Sequence, residues 1–386
     1  MIAYNTNWLD NLEVQQQLEE AAAMNCITKE EKEMTSAKYN VGFYTPNLFI
    51  RIGLFILTVV IASFSLGLLS LNLLSGGGEK SFAVILFVLA LAAYFALEVM
   101  VRGKNHYQSG ADDALIWITG ACIIGGINML GDLSPAVNAG ITLLIATYFL
   151  VRFIHPFMGI LVVSALLAFI LLSLGNAGNF AKAILPFLLF IISAVIYFLA
   201  QNLSKKTTFR LYKDAFTFIK ITALLSIYIS VNYYVVREAS INMFQLELEK
   251  SDKLPFGWIF WFFTIFIPIA YIYWGIKKKD ILFLRVGLLL VAAIVFTVRY
   301  YYAVMPMEIA MTIGGAILIA GAYFLIQYLR QPRNGFTSNP IADKQMQGKL
   351  NIEALVIAET FSGATPANEN NFGGGSLGGG GASGDF

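Results

Sequence analysis

Lys277-Lys278-Lys279-Asp280-Ile281-Leu282-Phe283-Leu284-Arg285-Val286-Gly287-Leu288-Leu289-Leu290-Val291-Ala292-Ala293-Ile294-Val295-Phe296-Thr297-Val298-Arg299-Tyr300-Tyr301-Tyr302 is the stretch from which the rest of the chain can be read. The almost wholly apolar block from Asp280 to Arg299 spans about 30 Å as a helix, the thickness of a bilayer's hydrocarbon core. Lysines at one end and an aromatic cluster at the other flank it as they flank a membrane-crossing helix whose lysine end faces the cytoplasm.

Outward from that block the composition agrees. Of the 386 residues, 58% are apolar and 13% charged, against about 25% charged in a soluble domain. Lipid is the solvent that accounts for the shortfall. The net charge of +2 is too small for a nucleic-acid surface. Cys26 lies in a polar region and Cys122 in an apolar one, so neither a disulfide nor a cysteine metal site is expected.

Windows of membrane-crossing length fall near 48–74, 82–101, 112–130, 137–153, 156–174, 180–201, 215–236, 256–276, 280–299 and 304–327. The reading is an all-α, integral membrane protein of ten transmembrane helices. Residues 1–47 form a polar helical module with seven acids; it offers no cleavable signal, so the first apolar helix is expected to direct insertion. Thr28-Lys29-Glu30-Glu31 fits a capping box, and the module reads as a helical pair against the membrane or as a partner-docking element. Residues 328–361 form a C-terminal segment and 362–386 a Gly-rich tail whose composition is that of disorder.

Basic residues orient the whole. On the side shared by both termini Lys and Arg number 17, and on the other side 6. That split places both termini in the cytoplasm. The junction Arg152-Phe153-Ile154-His155-Pro156 must be a reversal for this partition to hold, since proline cannot continue the preceding hydrogen-bond ladder.

Six ionisable groups crowd one cytoplasmic turn: Glu98, Arg102, Lys104, His106, Asp112 and Asp113. Glu98 and Arg102 have helical i,i+4 spacing. Ser109-Gly110-Ala111-Asp112 fits a capping box, and both aspartates favour the positive end of a helix dipole. Glu98, His106, Asp112 and Asp113 form the candidate polar site. No catalytic, cofactor-binding or metal-ligating set is legible: His106 and His155 each stand alone in the sequence, and no phosphate loop or nucleophile elbow occurs.

Two pieces carry a resemblance. Tyr44-Thr45-Pro46-Asn47-Leu48-Phe49-Ile50-Arg51-Ile52-Gly53 and Pro332-Arg333-Asn334-Gly335-Phe336-Thr337 resemble an uncharacterised family of bacterial multi-pass membrane proteins, over about residues 28–360. The resemblance implies a bacterial inner-membrane location and brings no catalytic residues. The tail Phe372-Gly373-Gly374-Gly375-Ser376-Leu377-Gly378-Gly379-Gly380-Gly381-Ala382-Ser383-Gly384-Asp385-Phe386 is similar to the tails of TPM-domain proteins, although no TPM domain is present.

The expected role is a non-enzymatic scaffold or accessory subunit, with the bilayer and a protein bound through the tail as partners, and no cofactor. The alternative is a ten-helix small-molecule transporter with the layout of drug/metabolite transporters. A membrane enzyme would need a polar cleft that the sequence does not assemble.

Overall fold

A computed structural model describes residues 2–73, 79–175, 178–242, 257–301, 306–328 and 330. Among these the chain is helical throughout, without a strand; the nearest thing to one is an isolated bridge between Tyr44 and His106. The C-terminal segment after Arg330 and the Gly-rich tail lie outside the described residues.

The N-terminal module holds α1 (Thr6–Ala23) and α2 (Lys29–Lys38). Asn5 caps α1, its side-chain oxygen accepting from the Asn7 and Trp8 amides. Thr28 opens α2 with the expected box: its hydroxyl accepts from the Glu31 amide while the Glu31 carboxylate accepts from the Thr28 amide. Asn11 and Gln15, on α1, donate to the carbonyls of Asn40 and Tyr39 at 2.8 Å each. The segment after α2 is thereby laid back along α1.

The apolar windows then appear in order as α3 (Leu48–Leu73), α4 (Glu79–Glu98), α5 (Ala111–Leu130), α6 (Pro135–Phe153), α7 (Met158–Leu174), α8 (Asn179–Leu203), α9 (Lys213–Val231), a short α10 (Tyr233–Asn242), α11 (Gly257–Lys278), α12 (Ile281–Tyr301) and α13 (Met307–Tyr328). Eight of them are long and apolar enough to cross a membrane; α7 and the apolar part of α13, Thr312–Tyr328, are shorter. Consecutive helices pair as α4 with α5, α6 with α7, α8 with α9 and α11 with α12, and α7 also packs on α9. One core gathers Leu97, Leu115, Phe149, Phe153 and Met158 with Tyr4 and Leu9 of the N-terminal module. A second joins α8 to α12 around Leu224, Tyr228, Tyr271 and Leu290, and a smaller third gathers Leu86, Leu89, Ala90 and Cys122.

Two junctions decide the path. The reversal at Arg152–Pro156 forms: α6 stops at Phe153, Ile154 turns left-handed (φ 50°), and α7 begins two residues after Pro156. By contrast, the window 215–236 is not one helix, which corrects the sequence reading. It breaks at Asn232 (φ −70°, ψ 129°). There the Asn232 side-chain oxygen accepts from the Val235 amide at 3.2 Å, and its amide group donates to the hydroxyls of Tyr228 (2.9 Å) and Thr297 (3.2 Å). The Tyr233 amide, released from the α9 ladder, donates to Thr264 Oγ at 3.0 Å. The interruption therefore leaves these backbone donors satisfied, the condition for irregular backbone within an apolar bundle.

Candidate functional site

The start of α5 is the meeting point of three elements. Gly110 takes φ 93°, which brings Asp112 and Asp113 into the first turn, buried to 1% and 7% exposure. Arg51 sits in the first turn of α3, which Asn47 caps by accepting from the Ile50 amide. It donates through Nη2 (2.7 Å) and Nε (3.1 Å) to Asp113 Oδ2. The other oxygen, Oδ1, lies 3.1 Å from Nε2 of His155 in the α6–α7 turn. A carboxylate only accepts, so Nε2 is the nitrogen that carries the proton. One side chain thus ties α3, α5 and the α6–α7 reversal together.

Asp112 turns the other way. Its Oδ1 accepts from the Ser109 amide (2.8 Å) and the Ser109 hydroxyl (2.9 Å). This is a variation on the expected box, because the hydroxyl donates to the carboxylate instead of accepting from the helix. With its proton committed, Ser109 Oγ accepts from His106 Nδ1 at 2.7 Å. The His106 ring in turn lies 4.8 Å from that of Tyr44, tilted by 50°, and the Tyr44 backbone bonds Asn105 and Tyr107.

Glu98 stands apart, in a second network. At the end of α4 the backbone widens into one π-helical turn, Val99–Gly103. Glu98 Oε2 still meets Arg102 Nε at 3.0 Å. Oε1 accepts from Tyr94 Oη (2.9 Å) and Arg152 Nε (2.8 Å), with Arg152 Nη2 closing the fork. Tyr94 gives its proton to Glu98, so Tyr148 donates to Tyr94 across 2.5 Å.

The four residues of the sequence reading therefore do not converge on one cavity. His106 and Asp112 share Ser109, Asp113 belongs to Arg51 and His155, and Glu98 belongs to Arg102 and Arg152. The last pairing crosses 54 residues and the Arg51–Asp113 pairing 62, so chain order gave no sign of either. His155 is not the lone histidine it looked; only its proline neighbour, marking a turn, was visible. Among the described residues no three His, Cys, Asp or Glu gather as a metal site would require.

The N-terminal module roofs this end. Tyr4 sits edge-on to Tyr107 (5.0 Å), Phe43 (6.0 Å) and Phe153 (6.5 Å), and Trp8 stands edge-on to Phe43. The Ala3 amide donates to the Arg152 carbonyl at 2.9 Å. Asp10 pairs with Arg210 at 2.6 Å, and Glu13 with Lys213. Burial, reinforced by Asp112, Asp113 and the Tyr107 ring, pushes the Tyr4 phenol well up. Burial and then Asp214 push Tyr107 up to about 12. Raised phenol values mean that the docked module holds both rings neutral, while undocked rings ionise near the ordinary 10.0. Docking is therefore fully supported below pH 10 and weakens as pH rises toward about 12. Limited proteolysis of α1 across pH 9–12 should show protection steady up to about pH 10 and falling above it.

Compared with known protein families, curated proteins and solved structures, the chain matches none of them.

Proposed function

We propose that the chain is a bacterial inner-membrane protein that crosses the bilayer ten times, keeps both termini in the cytoplasm, and serves as a non-enzymatic scaffold or accessory subunit. The observation that carries this reading is the state of the polar end. Glu98, Asp112, Asp113 and Asp10 are each held by a guanidinium, an imidazole or a hydroxyl, and the N-terminal module covers the assembly. Carboxylates so held are locked to protein partners, whereas a substrate mouth needs them open to a ligand; at this end His155 Nδ1 is the buried atom without a hydrogen-bond partner among the described residues. The orientation finds support in the helix ends that meet there. The starts of α3 and α9, the turn before α9 and the ends of α4 and α6 contribute Arg51, Lys213, Arg210, Arg102 and Arg152 to one side, as the positive-inside bias expects. A partner would be reached through the Gly-rich tail, residues 362–386.

A second reading, the small-molecule transporter, draws on the break between α9 and α10. Buried Asn232, Thr264 and Thr297 surround an interrupted helix, the kind of place where transporters hold substrates. One experiment separates the two. Cys26 is exposed and Cys122 buried, so a membrane-impermeant maleimide reports the N-terminal module through Cys26. In inverted vesicles Cys26 reacts, and in intact cells it does not. With Cys26 replaced by Ser, a Thr264→Cys variant stays unlabelled from both faces if the bundle is a filled scaffold, and gains label if water enters at the break.

A further inference from the structure

Between α4, α5 and α6 a groove of about 460 Å³ opens sideways from the bundle. Its floor is buried Thr119 and Phe149, and its lips are Leu91 and Leu144, each 72% exposed. The hydroxyl proton of Thr119 is already spent on the Leu115 carbonyl, so the floor offers no donor to a polar ligand. The volume lies within the range of small-molecule sites, about 300–1,000 Å³. The three helices are of membrane-crossing length, and the lips therefore face acyl chains.

At one end the groove changes character. Tyr94 and Tyr148 line it there, and Tyr94 leads by its hydrogen bond to Glu98. Around Glu98 stand two guanidiniums, Arg102 and Arg152, against that one carboxylate. The other pairs on this side, Arg51 with Asp113, Arg210 with Asp10 and Lys213 with Glu13, match one cation to one carboxylate. One positive charge is left over at the polar end of an apolar slot, and the Arg102 side chain is 56% exposed.

We infer that this groove is a binding site for an anionic glycerophospholipid: one acyl chain lies between Leu91 and Leu144, and the phosphate sits on Arg102 beside the tyrosine pair. Apolar length ending in surplus guanidinium charge complements that amphiphile, the two tyrosine protons being already spent on Glu98 and on Tyr94. Basic pockets between membrane helices on the cytoplasmic side bind anionic headgroups on the same principle. A neutral lipid would fill the slot and leave the charge unmatched. A second copy of the chain would have to bring an acidic side chain to the same spot.

The full chain, purified in detergent, is titrated with phosphatidylglycerol and with phosphatidylcholine of identical acyl chains, and bound lipid is counted by native mass spectrometry. Phosphatidylglycerol is expected to bind about fivefold more tightly, the worth of one basic side chain near an anionic headgroup. Arg102→Gln should remove that preference and keep the binding of phosphatidylcholine. Leu144→Trp, at an exposed lip that tolerates bulk, should weaken both lipids. Equal binding of the two lipids by the native chain would overturn the inference, as would an Arg102→Gln variant with the preference intact. Dimer formation that excludes lipid would assign the groove to a second copy and overturn it too.

Discussion

Asp113→Asn is expected to lower the unfolding free energy by about 3 kcal/mol, the lower end of what removing one partner of a buried pair costs. The lower end applies because the Arg51 side chain is 31% exposed and can recover some hydration. His155 cannot; its side chain is 3% exposed. An asparagine offers a single acceptor oxygen where Arg51 and His155 now have one each. Its amide nitrogen must then face one of those donors, leaving a buried polar group unmatched. Asp10→Asn is the comparison. The Asp10–Arg210 pair is 34% and 52% exposed, and its loss should cost no more than about 1 kcal/mol. Denaturant titration of both variants in the same detergent measures the difference. Equal transitions would mean that the Asp113 carboxylate does not fasten α3 to the α6–α7 turn. A normal transition joined to lost cellular activity would instead return Asp113 to the role of a functional residue.

How far the sequence reaches is clear from these same residues. Apolar length, flanking lysines and turn formers are local signals, and every apolar window holds a helix where the chain is described. The caps at Thr28 and the turn at Pro156 were legible for the same reason. The break at Asn232 was not. Apolar residues run on either side of it, and its cause lies in Thr264 and Thr297, on helices 31 and 65 residues away. The polar cluster shows the same limit. Charge density located Glu98, Asp112 and Asp113, because ionisable groups are conspicuous among apolar ones. Their partners Arg51, Arg152 and His155 could not be assigned, because nothing in chain order says which helix ends meet. Local periodicity specifies an element; partnership is a property of packing.

Gly110→Ala is expected to exceed Asp113→Asn, with a loss of about 4 kcal/mol or more, in the range reached only when a specific structural feature breaks. Two causes act together. Gly110 holds φ 93° and ψ −42°, a conformation that costs an L side chain about 1–3 kcal/mol. Moreover, a methyl group there would lie 2.0 Å from the Arg51 carbonyl oxygen and 2.8 Å from its carbon. Both are backbone atoms, so no rotamer change relieves the clash. The first turn of α3 must move, and Arg51 moves with it, away from Asp113. That shared consequence makes a sharp test. If Gly110→Ala acts by displacing Arg51, part of its cost is the loss of the Arg51–Asp113 pair, and the double variant with Asp113→Asn should lose less than the two single losses combined. Contacts that share a partner couple by about 0.5–3 kcal/mol in such a cycle. Gly53→Ala serves as the control on the same helix, since a methyl group there meets nothing within 4 Å. It should be neutral or slightly stabilising, by the helix preference of alanine over glycine, about 1 kcal/mol at most. Strict additivity of Gly110→Ala and Asp113→Asn would separate the turn from the ion pair. The close approach of α3 to the start of α5 would then not be what sets Arg51 against Asp113.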